Sequence, residues 1–377
     1  MRVGIVSAEF LRPGVTRIGG FGWGAAHAAD ALRAAGDEPV FVCPDREALL
    51  GAPAAFDEVP LVAKRDGSLA FARELRRARP DVLLSVDYRP SYDSVFRVLP
   101  RTPLVIWVRD PRTPDDVAAV AEVRIPGRPA GELPQGLDAI DCTPLRSIVR
   151  RSRALRRRVS FASPAPDALA PKAPATYAVD PGRVSLLPNP IDVAREPGPK
   201  AAAPRVAFLG RLDPCKRPWL FVELARSFPD VEFALIGQSH FGGAGSWEPA
   251  DLPPNVRPAG NLAGQEKLRE LDAAWVLVNT SVHEGLPVSF QEALASRTPL
   301  LACVDTERVV SRFGIYAGSF AGDGLAALPS LRAGLEQLLG DRRLHERLGR
   351  EGQEWVRGRH TPERFVAALR ALAAGTA

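Results

Sequence analysis

Two cations stand close together after a predicted strand in the second half of the sequence. Arg211 follows Gly210 directly, and Lys216 lies where a helix is expected to open. A guanidinium offers a planar fork of donors and an ammonium a compact point charge, so the pair is suited to neutralising a diphosphate that gains negative charge. Two surface cations at a helix start are the alternative, although the helix dipole disfavours them there. We therefore interpret the pair as a diphosphate site at the carboxyl edge of a sheet.

Two glutamates flank the start of a later predicted helix. Glu284 lies just before this helix and could face a sugar, whereas Glu292 lies in the second turn and could accept both hydrogens of a vicinal diol such as ribose. The alternatives are a dipole partner for Glu284 and an exposed helix residue for Glu292. Glycine allows close backbone approach and helix N–H groups receive phosphate, so the segment between the glutamates completes the site. Its residues are Gly285, Leu286, Pro287, Val288 and Ser289.

Short apolar runs alternate with helical patterns in both halves of the chain, which is typical of βαβ units on parallel sheets. The runs are Val3–Ser7, Val40–Cys43, Val82–Val86 and Leu104–Val108, then Arg205–Gly210, Val231–Gly237, Trp275–Asn279 and Pro299–Cys303. Ten prolines between residues 163 and 204 place the domain boundary there. We predict an α/β protein with Rossmann-like domains at 1–192 and 193–360, the terminal helix 361–377 packing back on the first.

The bulk composition is that of a globular protein, with 46% hydrophobic and 25% charged residues in 377. The net charge of +5 is mild for this length and does not imply nucleic acid. The four cysteines are far apart, without a metal-site pattern, and no apolar run reaches the 18 or so residues of a membrane span. We expect a cytoplasmic protein.

The segment from about 184 to 300 resembles the retaining glycosyltransferases of family 4, which have the GT-B fold of two Rossmann-like domains facing each other across a cleft. The matching pieces are 187–192, Gly210 and Arg211 with Lys216, 235–237 ending in Gly237, and 284–292. The resemblance implies that Arg211 and Lys216 bind the donor diphosphate. It also implies that Glu284 with residues 285–289 holds the donor sugar and that Glu292 binds ribose. A weaker match, 256–262, assigns Asn261 and Leu262 to the base.

The first half matches this family less closely. A glycine-rich loop with Gly19 and Gly20 is similar to the lysine-x-glycine-glycine loop of glycogen and starch synthases, with Arg17 in place of lysine. Its amides would reach the donor diphosphate or the acceptor, and an ordinary turn is the alternative. Where many members carry a histidine, this chain has Arg109 and Asp110, which suggests an anionic or altered acceptor; a structural ion pair between the two residues is the other interpretation.

The segment 146–158 holds seven arginines. As a basic amphipathic helix it would make weak peripheral contact with the inner membrane face or a phosphorylated acceptor; a solvated helix face is the alternative.

The predicted activity is the transfer of a sugar from a UDP- or GDP-type donor to a small-molecule or glycan acceptor, without a metal, because Arg211, Lys216 and helix amides supply the positive charge. The resemblance implies retention of anomeric configuration. Residues 20–25 also satisfy G-x-G-x-x-A, so an NAD-dependent oxidoreductase is an alternative, although about a dozen residues separate the first strand from the glycines. An epimerase or phosphorylase on the same scaffold, or a non-catalytic nucleotide-sugar-binding protein, are further alternatives.

Overall fold

The chain folds into two compact units. The computed structural model describes residues 1–9, 19–45, 55–56, 58–64, 67–128, 143–177, 179–239, 247–249 and 251–376. The first unit comprises Met1–Thr113, Ala139–Pro190 and His360–Ala377, and the second comprises Pro114–Asp138 and Ile191–Arg359. The main boundary, between 190 and 191, lies two residues from the predicted position. The grouping of Pro114–Asp138 with the second unit differs from the prediction, which assigned all of 1–192 to the first.

An eight-stranded sheet forms the centre of the first unit among its described residues, in the order β3-β4-β2-β1-β5-β6-β7-β8. All neighbours are parallel except β3 and β4. The strands are β1 Arg2–Val6, β2 Glu38–Cys43, β3 Ala55–Phe56, β4 Val59–Ala63, β5 Val82–Val86, β6 Leu104–Trp107, β7 Val159–Ser163 and β8 Val184–Leu186. The helices are α1 Gly20–Ala34, α2 Ser68–Ala78, α3 Asp93–Val98, α5 Thr143–Ala154, α6 Pro166–Leu169, α7 Ala173–Tyr177 and α14 Pro362–Ala374.

The C-terminal helix α14 completes the core of the first unit. Thr361 caps it by accepting a hydrogen bond from the N–H of Arg364, and Pro362 occupies its first turn, where the missing N–H costs nothing. Its apolar stripe is buried with α1 and the strands β1, β5 and β6, because a period of 3.6 residues places these side chains on one face. The stripe consists of Phe365, Val366, Leu369 and Leu372.

The second unit contains a six-stranded parallel sheet in the order β11-β10-β9-β12-β13-β14. Its strands are β9 Arg205–Leu209, β10 Glu232–Ile236, β11 Val256–Gly260, β12 Val276–Asn279, β13 Leu300–Ala302 and β14 Gly314–Tyr316. Its helices are α4 Pro114–Ala121, α8 Pro218–Arg226, α9 Gly264–Ala273, α10 Val288–Ala295, α11 Val309–Phe313, α12 Leu328–Gly340 and α13 Arg342–Arg359. Apolar side chains from β9, β10, β12, β13, α8 and α12 form the core.

The order of the strands determines where a ligand can bind in the second unit. Strand β9 lies between β10 and β12, so successive strands add first on one side of β9 and then on the other. The loops after β9 and β12 leave the sheet in opposite directions at this point and leave a crevice at its carboxyl edge. The sequence predicted the strands on both sides of this crevice.

Candidate functional site

The loop after β9 carries Arg211 and Lys216 to the crevice, although not in the first turn of a helix as the sequence predicted. A single 3₁₀ turn spans Pro214–Lys216, and Arg217 follows with a φ of 47° in the left-handed region. Helix α8 begins only at Pro218. The helical path is interrupted at Arg217. Its buried guanidinium donates to the carbonyl oxygens of Thr280 and Phe320 at 2.8 and 2.6 Å. Lys216 is therefore held by a turn anchored to the loop after β12.

Arg211 forms an ion pair within its own loop. Its Nε lies 3.0 Å from Oδ2 of Asp213, and the Arg211 side chain remains 30% exposed, whereas that of Asp213 is buried. The loop thus supplies a fixed, partly accessible positive charge.

Lys216 and Glu284 are joined by an ion pair between Nζ and Oε1. The same carboxylate oxygen accepts hydrogen bonds from Oγ of Ser281 at 2.6 Å and from Nδ2 of Asn279 at 3.2 Å. Burial opposes ionisation of Glu284, but the charge of Lys216 and these hydrogen bonds outweigh it and hold the pKa of Glu284 below its ordinary value. The geometry brings the first glutamate and the lysine together, with Glu284 ionised at neutral pH.

The turn that presents Lys216 is fastened to the same loop by backbone contacts. Oγ1 of Thr280 donates to the carbonyl oxygens of Lys216 and Arg217 at 2.7 and 2.9 Å. The N–H of Val282 donates to the carbonyl oxygen of Cys215 at 2.9 Å. These bonds fix the distance between the two loops, which is what a preorganised electrostatic site requires.

Helix α10 starts at Val288, with Pro287 just before it in an extended conformation. Pro287 thus directly precedes the first turn of the helix. The backbone N–H groups of Val288 and Ser289 lie in the first turn, where the positive end of the helix dipole faces the crevice edge of the sheet. Gly285, directly after Glu284, is half-buried and Leu286 is buried, so the segment 285–289 begins packed against the rest of the unit.

Glu292 is buried, contrary to the alternative of an exposed helix residue. Its Oε1 lies 2.7 Å from Nζ of Lys267 on α9, and the two side chains are 8% and 6% exposed. A buried carboxylate is tolerated when it is paired in this way. Sequence reasoning missed Lys267; the signal for it was a lysine four residues before the buried Leu271, on the apolar face of a helix.

Three glycines lie at the carboxyl ends of β9, β10 and β11, on the side of β9 that faces away from β12: Gly210, Gly237 and Gly260. Gly237 has a φ of 149°, and a Cβ there would lie 1.8 Å from the carbonyl oxygen of Gly210. The N–H of Gly237 donates to the carbonyl oxygen of Gly260 at 2.8 Å, so the ends of three strands meet. Asn261, which is exposed, and the half-buried Leu262 follow β11 at the edge of the sheet. The predicted base-binding segment 256–262 therefore begins with the edge strand β11. An edge strand tolerates Pro258, which has no N–H to donate.

In the first unit, Arg109 is a buried cation. Its Nη1 donates to Oδ1 of Asn189 at 2.7 Å, and its guanidinium lies 4.2 Å from the ring centroid of Trp107. A Cβ at position 24 would come within 2.9 Å of this group, which explains the glycine there. Asp110 forms an ion pair with Arg112 at 2.7 Å, and its charge also acts on Arg109. The alternative of an ion pair between Arg109 and Asp110 stays a prediction.

Buried Asp87 lies beside Arg109 at the carboxyl edge of the same sheet. Its carboxylate accepts from the hydroxyl of Tyr177, from the N–H of Tyr88 at 2.7 Å and from the N–H of Asp110 at 3.1 Å. Burial raises the pKa of Asp87 to about 6, against the opposing hydrogen bond from Tyr177. Sequence reasoning missed this residue, although an aspartate directly after a buried strand was a signal.

The glycine loop of the first unit meets a carboxylate. Oε2 of Glu9 accepts from the N–H groups of Gly19 and Gly22 at 3.0 and 3.3 Å, and Oε1 lies 3.2 Å from Arg89. The carboxylate of Glu9 thus compensates the partial positive charge at the N-terminus of α1, which begins at Gly20. Arg17 lies outside the described residues.

The arginine-rich helix is shorter than predicted. Helix α5 ends at Ala154, Arg156 has a φ of 54°, and Val159 begins β7. Arg157 turns inward and donates to the carbonyl oxygens of Thr102 and Phe96 at 2.6 and 3.0 Å. Contact between this helix and a membrane surface stays a prediction. No helix among the described residues is long and apolar enough to cross a membrane.

The described residues contain no cluster of three or more histidine, cysteine, aspartate or glutamate side chains that could hold a metal ion. Arg211 and Lys216 each carry a positive charge in the loop after β9.

Residues 192–355 match the family model described as glycosyl transferases group 1. This region corresponds to most of the second unit, and the match supports the predicted class of enzyme. The match covers the strands, loops and helices that hold Arg211, Lys216, Glu284 and Glu292. No curated protein matches the chain in sequence.

Solved structures of glycosyltransferases are similar to the whole chain. HepE of Anabaena, in complex with UDP-glucose, matches at a TM-score of 0.68 and 14% identity over 99% of this chain and 100% of its own. Sucrose-phosphate synthase of Thermosynechococcus elongatus matches at 0.71 and 14% identity, over 99% and 98%. A glycosyltransferase of Rickettsia africae matches at 0.63 and 9% identity, over 100% and 98%. At these identities the likeness establishes the fold, and the predicted GT-B class with two Rossmann-like domains is confirmed.

Proposed function

We propose that the chain transfers a sugar from a UDP- or GDP-type nucleotide diphosphate sugar to a small-molecule or glycan acceptor. The observation that carries this proposal is the pairing of Lys216 with the ionised Glu284 at the crevice between β9 and β12, beside Arg211. In such a site the cations neutralise the diphosphate while the carboxylate binds hydroxyl groups of the sugar. HepE, which has the same fold, was solved with UDP-glucose bound.

The proposed roles of the residues are those that the resemblance to family 4 implies, and their positions in the second unit are compatible with them. Arg211 and Lys216 bind the diphosphate, together with the N–H groups of Val288 and Ser289 at the start of α10. Glu284, followed by Gly285, Leu286 and Pro287, binds the sugar. Glu292 binds the ribose, and the strand ends at Gly210 and Gly237, with Asn261 and Leu262, border the base.

In the proposed reaction, the bond between the anomeric carbon and the diphosphate oxygen breaks, and the leaving group keeps the electron pair. A new bond forms between the anomeric carbon and an acceptor oxygen, and the acceptor's proton passes to the leaving diphosphate or to water. The developing negative charge on the diphosphate faces Arg211 and Lys216, whose positions are fixed before the reaction begins, so that little reorganisation is needed. Positive charge from these side chains makes a divalent metal unnecessary, and the resemblance to family 4 supports retention of configuration.

The acceptor is proposed to interact with the first unit. The carboxyl edge of its sheet gathers Glu9, Asp87, Arg109 and Asp110, a mixture of charges suited to a polar acceptor. Burial lowers the pKa of Arg109 to about 10, so the guanidinium remains charged at neutral pH and cannot act as a base.

The test is a binding screen of the full chain against UDP-, GDP- and ADP-sugars, the free nucleoside diphosphates and NADH, with and without EDTA. A ligand at about 100 times its Kd is expected to stabilise the fold by about 2.7 kcal/mol, which a thermal shift detects. We expect one class of nucleotide sugar to bind equally well with EDTA. Binding of NADH alone would favour the oxidoreductase alternative and overturn the proposal.

A further inference from the structure

A segment from the first half of the sequence forms part of the glycosyltransferase unit. Residues 114–125 lie in the second unit, whereas β6 before them and α5 after them belong to the first. No sequence motif marks this segment, and the matched family region begins only at residue 192.

An apolar cluster anchors the segment. Val123 is buried together with Trp219 and Leu220 at the start of α8, and Ile125 and Val282 pack against the same cluster. Val282 belongs to the loop that carries Glu284, and its N–H donates to the carbonyl oxygen of Cys215. The segment therefore contacts the loop after β12 at the point where that loop is tied to the turn of Lys216.

A polar contact between Asp116 and His283 accompanies this apolar packing. Asp116 on α4 places Oδ1 3.3 Å from Nδ1 of His283, and the two side chains are 19% and 6% exposed. A carboxylate only accepts hydrogen bonds, so it favours a proton on Nδ1 and orients the imidazole ring. His283 is the residue directly before Glu284.

We propose that Asp116 is a positioning residue for the donor sugar, acting through His283 on Glu284. This inference rests on the proposed function. Val282 is held through its N–H by the carbonyl oxygen of Cys215, and His283 is held through its side chain by Asp116. Two successive residues before Glu284 are therefore fixed. Supporting contacts of this kind determine how accurately a carboxylate meets its ligand.

The experiment compares two ligands that differ by the sugar alone. Kd values for UDP-glucose and UDP, and for GDP-mannose and GDP, are measured with the full chain and with Asp116→Ala, Asp116→Asn and His283→Ala. The exposed neighbour Asp115→Ala is the matched control. We expect Asp116→Ala to weaken the nucleotide sugar about tenfold and the free diphosphate less than about twofold, with Asp116→Asn in between.

A second measurement separates positioning from general stability. Adding Asp116→Ala to His283→Ala should cause less than about a twofold further loss of nucleotide-sugar affinity, because the contact is already gone. Equal weakening of both ligands, additive effects in the double variant, or an Asp116→Ala result equal to that of Asp115→Ala would overturn the inference while leaving the proposed function intact. A wild-type chain that binds none of the four ligands would instead overturn the proposed function, and this inference with it.

Discussion

Lys267 and Glu292 form a buried ion pair, with 2.7 Å between Nζ and Oε1. The glutamate proposed to bind ribose is thus also part of the contact between α9 and α10. Breaking a buried pair by removing one partner leaves an uncompensated charge, whereas replacing both partners by apolar groups is often neutral. The two roles of Glu292 can therefore be separated by experiment.

We predict that Lys267→Met lowers the free energy of unfolding by about 3 to 5 kcal/mol, because it removes the buried cation that compensates the charge of the Glu292 carboxylate. The double variant Lys267→Met with Glu292→Leu should recover most of this loss in chemical denaturation. It should nevertheless bind free nucleoside diphosphates more weakly than the wild type in titration. Affinity equal to that of the wild type in the double variant would show that Glu292 has only a structural role.

Gly237 provides a test of the crevice edge. Gly237→Ala should lower the free energy of unfolding by about 3 kcal/mol, since its Cβ would lie 1.8 Å from the carbonyl oxygen of Gly210 and its φ is 149°. Gly358→Ala on α13 is the matched control, because a Cβ there meets nothing within 4 Å. The control should leave stability unchanged or raise it by up to about 1 kcal/mol. Equal thermal midpoints for the two variants would contradict the packing described for β9 and β10.

The raised pKa of Asp87 predicts a pH dependence of stability. Burial raises this pKa from 3.8 to about 6, so between these values the folded chain holds a proton that the unfolded chain has released. The free energy of unfolding therefore falls as pH rises through this window and is level above it. The stability of the wild type minus that of Asp87→Asn should decrease by about 2 to 3 kcal/mol between pH 4 and pH 7 in denaturant titrations. A difference that is constant with pH would refute the assignment.

The fold was predictable from the sequence wherever a strand is buried on both faces. Continuous apolar runs such as Val82–Val86 became central strands, whereas β3 and β8 lie at the sheet edges, are short and lack such runs. The prolines of 163–204 fixed the region of the boundary because proline cannot sit in a central strand. The passage of residues 114–125 into the second unit was not predictable, since no local pattern specifies which unit a short helix joins.

The same distinction holds for the candidate site. Arg211, Lys216 and Glu284 were recognisable because each follows a strand of the sheet at its carboxyl edge. The supporting residues were not recognisable. Ser281 and Asn279 contact Glu284 through loop geometry, whereas Lys267, the partner of Glu292, and Asp116, the partner of His283, come from helices distant in sequence. Arg109 carried a signal, but only its contacts with Asn189 and Trp107 reveal that it is buried.

The pairing of Lys216 with Glu284 is the centre of the proposed function, and turnover of the donor tests it most directly. Release of nucleoside diphosphate from the nucleotide sugar identified in the binding screen should be measured for the wild type, Lys216→Ala, Glu284→Ala and the exposed control Arg226→Ala. We predict a loss of about 100-fold or more in each of the first two variants, with the fold intact, and wild-type turnover in the control. Near-wild-type turnover in folded Lys216→Ala or Glu284→Ala would contradict the account.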